Sequence, residues 1–320
     1  MELFQAGVLI SNLRMKRGWT QEFLCKGICD KRTLARIEKG EHAPELFTFS
    51  SLMERLGEDP AKYYSGVVTI VDKMLIDLDE QLVNLLRKKD EEFDKEAEQL
   101  IAKHDEAKAK TKSKKYTQVL LSHKATLAFN RNEYLNAYEL AIDGIKITNP
   151  DFDETKADTY IYTSQEIELV NAIAASQYFN KSCEDSTNIY LKLKVAIDKH
   201  YRADKSKQKN YLQMLYNITK NMGIQKEYEE CIALCNQGIL LSKEGRKYHY
   251  LSLFLFNKAC SLLCLGHKEE GILSMSRAYA LFLGVEDYSK MLQVNTFLKH
   301  EFGIDISELY TLLYFEPLCE

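Results

Sequence analysis

The chain has 320 residues, 45% hydrophobic and 28% charged, with a formal net charge of −4. That composition is ordinary for a soluble globular protein of roughly two domains at about 150 residues each, and the charge excludes a chain that coats nucleic acid along its whole surface. Only 4 prolines and 14 glycines interrupt it, which favours helices with few breaks.

Met1-Glu2-Leu3-Phe4 lacks the basic start of a signal peptide. No stretch approaches the roughly 18 apolar residues that span a bilayer. A cytoplasmic protein without a membrane partner is expected. Cysteines stand at 25, 29, 183, 231, 235, 260, 264 and 319. Three pairs are spaced i,i+4, but no CxxC or histidine partner completes a metal set. They read as small buried hydrophobes, and no metal or other cofactor is expected.

In chain order, Leu9, Ile10 and Leu13 give a first helix over 3–16 its apolar face, and Gly18 ends it. Thr20 is placed to cap a second helix from Gln21 to Lys26. A turn over 27–29 leads to Asp30, which can cap a third helix from Lys31 to Lys39, closed by Gly40. Pro44 suits the first turn of a fourth helix. Phe47, Leu52, Met53 and Leu56 would be its buried side, and Gly57 its end. Asp59-Pro60-Ala61 would open a short fifth helix over Tyr63 and Tyr64. Residues 14–40 carry eight Lys/Arg against three Asp/Glu, a local excess that the whole-chain charge conceals.

This run of caps, glycines and apolar positions resembles the lambda-repressor-like (XRE) helix-turn-helix family. The resemblance implies that the third helix enters the major groove of double-stranded operator DNA with its N-terminal residues at base edges. It assigns DNA contact to Lys31, Arg32 and Arg36, whose donors suit guanine O6/N7 or phosphate. Thr33 would touch the backbone, and Gln21 would place its amide by a phosphate or base. Arg14 and Glu38 would form an ion pair bracing helix one against helix three. Trp19 departs from the smaller residue usual there.

Residues 67–110 read as a linker of one long helix or two end to end. Val68, Val71, Leu75, Leu78, Leu82, Leu85 and Leu86 recur every three or four positions. The run from Lys103 to Lys115 holds six lysines in thirteen residues. It reads as a solvated helix end or hinge, or as an auxiliary DNA contact.

From about residue 116 the sequence repeats. Ala125, Ala137, Ala141 and Gly144 recur 94 residues later as Thr219, Cys231, Cys235 and Gly238, and Ala259, Gly271 and Ala278 keep the same spacing. The spacing resembles the tetratricopeptide repeat, with residues 155–195 and 288–314 as degenerate copies and about five repeats in all. The resemblance implies paired helices winding into a superhelix with a concave groove. In that register Asn171, Asn217, Asn257 and Asn295 occupy one equivalent groove position, where an amide can both donate to and accept from a peptide backbone. Gln213, Tyr216 and Phe256 would be their neighbours, and Lys220 could meet a carboxylate. Tyr248, Tyr250, Phe254, Leu255 and Phe297 read as packing residues.

The expected fold is therefore all-α, with a helix-turn-helix domain over 1–66, a linker over 67–115 and a repeat domain over 116–320. That architecture resembles the Rgg/PlcR-like (RRNPP) peptide-pheromone regulators. It implies a homodimeric transcription factor whose operator binding is controlled by a short signalling peptide in the groove. An alternative is a helical-repeat regulator whose array binds a partner protein. The leucine- and aromatic-rich end (Leu309, Leu312, Leu313, Tyr314, Phe315) reads as a solenoid cap or a dimer surface. Histidines at 42, 104, 123, 200, 249, 267 and 300 are scattered. No HExxH, nucleophile elbow or phosphate loop is present. An enzyme, including a phosphatase-like relative, is not expected.

Overall fold

The computed structural model describes residues 3–60, 80–83, 85–86, 91–108, 114–201, 208–284 and 288–305. All regular structure among them is helical, as the composition and periodicity predict. Tyr63, Tyr64, Val68, Val71, Leu75, Leu78, Cys319 and the segment 309–315 lie outside the described residues. The chain forms two compact units, Met1–Lys207 and Gln208–Glu320.

The first unit opens with α1 (Leu3–Lys16), α2 (Gln21–Cys25), α3 (Lys31–Glu38) and α4 (Leu46–Arg55). Both predicted caps are made. Thr20 accepts from the Phe23 amide, and Asp30 from the Thr33 amide at 2.8 Å. Such a cap contributes about 1 kcal/mol. Gly18 and Gly40, with φ of 67° and 74°, take the left-handed conformation that ends a helix. Pro44 differs from expectation: α4 starts two residues later, after Glu45, which makes no side-chain cap. Ile10, Leu24, Leu34, Ile37, Leu52 and Leu56 are fully buried between the four helices. Each contributes about 1.5–3 kcal/mol by leaving water.

Residues 80–83 and 85–86 are helical, and α5 follows over Glu91–Lys108. Leu82, Leu86, Ala97 and Ile101 form one cluster with Leu120 and Leu127, so the described part of the linker's apolar stripe packs on the first repeat. The charged run is not wholly solvated either. His104 is buried and lies 2.7 Å from the Tyr116 hydroxyl. α6 (Lys114–Asn130) pairs with α7 (Tyr134–Lys146), and α8 (Ser164–Asn180) with α9 (Cys183–Tyr201). A 3-10 helix, Glu154–Thr159, lies between the pairs and packs on α9. α6 also packs on α8, so each first helix of a pair meets the next.

The four-helix head is fastened to these repeats by a buried ion pair. Arg55, at the end of α4, donates to the carbonyls of Leu24 (3.2 Å) and Lys26 and lies 3.5 Å from Glu166 Oε1. The two side chains are 3% and 0% exposed. Glu166 also completes a capping box with Thr163 at the start of α8 and accepts from Asn149 Nδ2 at 2.8 Å. Beside it, Glu54 accepts from the Ser164 amide at 3.0 Å, and Phe47 meets Tyr116 edge to face. Phe47 thus serves the head–repeat contact more than the head's own core.

The second unit holds α10 (Gln208–Gln225), α11 (Tyr228–Glu244), α12 (Tyr248–Cys264), α13 (Lys268–Gly284) and α14 (Tyr288–Phe302). Each packs on its successor, and α10 also packs on α12. The repeat register recurs in the backbone. Asn132, Lys226 and Gly266 hold the same place between paired helices, and all have positive φ, at 64°, 65° and 84°. The small residues permit close approach, here to the following helix pair. A Cβ on Gly144 would sit 2.8 Å from Leu169 of the next pair, and one on Gly238 would sit 2.5 Å from the Phe254 ring.

Two outcomes follow for stability and reactivity. Gly238→Ala should cost about 1–3 kcal/mol through overpacking. Gly223→Ala, where nothing lies within 4 Å, should be neutral or stabilising by up to about 1 kcal/mol. Thermal denaturation of both variants checks the contrast. Among the described cysteines only Cys264 is exposed. Burial above all pushes the Cys29 and Cys260 thiols up to about 12. At pH 8 both stay protonated and poorly nucleophilic, so maleimide should modify Cys264 well before either, as read by peptide mass spectrometry.

Candidate nucleic-acid interface and ligand groove

α3 is short, so its orientation depends on what holds its two ends. At the C-terminal end, Glu38 receives a two-pronged contact from Arg14, Nε at 2.6 Å and the second guanidinium nitrogen at 2.9 Å. The expected brace between helix one and helix three is therefore present. Arg14 also donates to the Trp19 carbonyl at 2.7 Å, which ties the α1–α2 turn into the same network. The hydrogen bond to Glu38 holds the Arg14 guanidinium above its ordinary value. Gln21 does not stand free. Its amide nitrogen donates to Glu38 Oε2 at 2.7 Å, the oxygen that also accepts from Arg14 Nη2, and its own carbonyl oxygen is left for other donors. Trp19 meets Phe23 edge to face at 5.0 Å and lies 5.5 Å under the Arg17 guanidinium, which accounts for a large residue there.

At the N-terminal end, Asp30 holds α3 with both oxygens. Oδ1 accepts the Thr33 amide, and Oδ2 accepts the Thr33 hydroxyl at 2.7 Å. These bonds, the amide first, keep the carboxyl below the usual carboxylate range. Thr33 is therefore engaged locally. With Asp30 it lines a cleft of 480 Å³ whose other walls include Lys114 and Thr148. Lys31, Arg32 and Arg36 are exposed. Lys31 lies 3.6 Å from Glu22 and Arg36 4.0 Å from Glu41. Surface pairs of this kind contribute about 0–1 kcal/mol, so a phosphate or a base edge competes for either cation at little cost. Among the described residues Arg32 has no ion-pair partner. Three long cations thus leave one short, rigidly capped helix.

The expected groove residues fall in both units. In the second, Gln213 and Lys220 on α10 are exposed, while Tyr216 and Asn217 between them are half-buried. Phe256 and Asn257 on α12 and Asn295 on α14 are half-buried too. Tyr216 and Phe256 both pack on one apolar cluster around Leu255, Ala259 and Leu298, and burial raises the Tyr216 phenol. The structure adds Phe297 to this set. It is 39% exposed, with its ring 6.0 Å from that of Phe256, so it is no simple core residue. Tyr248 is likewise exposed, whereas Phe254 and Leu255 are buried as expected.

The asparagines are not four equal clamps. Asn257 donates to Thr219 Oγ1 at 3.0 Å and so ties α12 to α10. Asn171 lies in the first unit, is 4% exposed, and has both amide atoms buried without a hydrogen-bond partner. Its side chain can reach a ligand only if the helices around it open. Arg55, Asn149 and Glu166 are functional candidates that the sequence reading passed over. The capping box Thr163-Ser164-Gln165-Glu166 was legible as a helix start. Nothing local signalled the second partner 111 residues away.

Comparisons with known proteins bear on the head and on the fold. Residues 10–63 match the helix-turn-helix family HTH_3. No curated protein matches the sequence. Among solved structures, Bacillus thuringiensis PlcR in complex with the peptide PapR7 and DNA is similar at a TM-score of 0.57 and 19% identity, over 91% of this chain and 99% of that one. The apo competence regulator ComR from Streptococcus vestibularis is similar at 0.52 and 15%, over 94% and 99%. Apo ComR from S. thermophilus is similar at 0.53 and 15%, over 93% and 99%. Among the described residues no helix is long and apolar enough to cross a membrane. Residues 10–63 thus form a helix-turn-helix domain of the HTH_3 family, carried by a chain with the fold of PlcR and ComR.

Proposed function

We propose that this chain is a DNA-binding transcriptional regulator whose operator binding is controlled by a short signalling peptide held in the second unit. The observation that carries the first half is the reading helix. Lys31, Arg32 and Arg36 are exposed on a helix braced at one end by Arg14–Glu38 and at the other by Asp30–Thr33. Long flexible cations on a rigid helix can reach base edges and phosphates without reorganising the fold. In this reading Gln21 offers its free carbonyl oxygen, and Thr33 acts through the cap more than through direct contact.

The second half rests on the surface formed by Gln213, Tyr216, Asn217, Lys220, Phe256, Asn257 and Asn295. Polar amides and one cation border aromatic rings there, a lining that suits an extended peptide with an apolar side chain and a free carboxylate. The PlcR structure named above contains both a peptide and DNA, which supports one chain serving both ligands. A homodimer reading two half-sites about 34 Å apart follows from the helix-turn-helix geometry. A peptide that binds one helix packing better than another would then set the head-to-head distance. The protein has no catalytic role in this reading.

Arg32→Ala with Arg36→Ala should lower operator affinity by about 2 kcal/mol or more and leave the melting temperature unchanged. Footprinting that still shows protection sinks the reader assignment. Asn217→Ala with Asn257→Ala should weaken the signalling peptide by about 1 kcal/mol per lost hydrogen bond. Calorimetry with synthetic peptides encoded beside the gene measures it. An unchanged peptide affinity would mean that the groove lies elsewhere.

A further inference from the structure

The turn between α2 and α3 fixes the angle at which the reading helix leaves the head. α2 has five residues and ends in carbonyls that no intrahelical amide can reach. Arg55 reaches two of them, those of Leu24 and Lys26. The turn also holds Gly27 at φ 76°, where a Cβ would collide with the Thr148 carbonyl. A guanidinium buried this deeply needs a counter-charge, because the cost of desolvating it is several kcal/mol. Among the described residues the head supplies none in contact with it. The counter-charge is Glu166 of the second repeat, itself fully buried and fixed from two other sides by Asn149 and the Thr163 amide.

We propose that Glu166 is a positioning residue for the DNA reader: from the repeat region it holds Arg55 on the α2–α3 turn, so that turn is completed by a side chain 111 residues downstream of Arg55. The inference rests on the DNA-reading role proposed above for its functional meaning, but its structural half stands alone. It makes the head and the repeats over 114–201 one mechanical piece. Movement of the 147–166 segment reaches the reading helix directly through Thr148 and Glu166. It also means that the helix-turn-helix sequence does not by itself contain everything its turn needs.

The test uses the full-length chain and three forms: wild type, Glu166→Gln and Thr163→Val. Glu166→Gln removes the charge and keeps the shape. Thr163→Val breaks the hydroxyl half of the capping box and leaves Arg55 its partner. Amide hydrogen exchange is followed over residues 24–30 and 163–170. Glu166→Gln should speed exchange over 24–30 by about tenfold, the loss of one hydrogen bond to a charged group. Thr163→Val should speed it only over 163–170. If Glu166→Gln leaves 24–30 unchanged, or if Thr163→Val disturbs that segment equally, Glu166 is merely a helix cap and the inference falls. In parallel, a DNA fragment selected from a random pool by the wild-type chain is titrated with each form. Glu166→Gln should bind it about tenfold more weakly, and Thr163→Val normally. Tighter binding by Glu166→Gln would show restraint of the reader where we infer support, and would overturn the proposal. If the wild type selects no DNA, the DNA-reading role fails while the exchange result still decides the brace.

Discussion

A guanidinium cannot be buried cheaply, and the surroundings of Arg55 follow from that constraint. Two carbonyls at the end of α2 and one carboxylate from α8 meet it on different sides. Each partner is itself held. The carbonyls belong to a turn that cannot relax because of Gly27, and the carboxylate belongs to a capping box and an asparagine contact. Removing any one of these leaves a charge or a polar group in a dry place, where the penalty is several kcal/mol. The head, the segment 147–163 and the start of α8 are therefore fixed together as a set. Hydrophobic burial supplies most of the free energy, but it is not directional. The Arg55 network supplies the direction.

The repeats are governed by a different constraint, close approach. Successive helix pairs pack with little between them at Gly144 and Gly238, where a single methyl would meet a side chain of the next pair. Tight turns at Asn132, Lys226 and Gly266 return the chain in the same left-handed conformation each time. The lysine in that set stands in a conformation that favours glycine or asparagine. In the second unit the same regularity brings the half-buried rings of Tyr216 and Phe256 onto one apolar cluster, with half-buried asparagines on the same helices. Asn257 shows that the same residue type can also serve as a strut between α10 and α12.

Much of the head was legible residue by residue. Thr20 and Asp30 cap the helices they were expected to cap, the Arg14–Glu38 brace is made, and the boundaries of α1 match the apolar periodicity. Pro44 misled because proline tolerates the first turn of a helix but equally suits the loop before it. His104 was hidden inside a lysine-rich run, where composition reads as solvated. Its burial depends on Tyr116, twelve residues on. Asn171 was aligned with three other asparagines by counting alone, and counting cannot see that its helix is covered.

Sequence alone determined the helical class, the caps and glycines of the four-helix head, its exposed cations and the small-residue register of the repeats. All of these are short-range consequences of backbone sterics, local hydrogen bonding and apolar spacing. Tertiary structure alone decided that Gln21 is half occupied by Glu38, that Phe297 joins Phe256 at the surface, and that Arg55 is answered by Glu166. Those outcomes depend on which distant surfaces meet. A buried charge takes its partner from whatever the fold brings within reach, and no local pattern near Arg55 specifies a carboxylate 111 residues away.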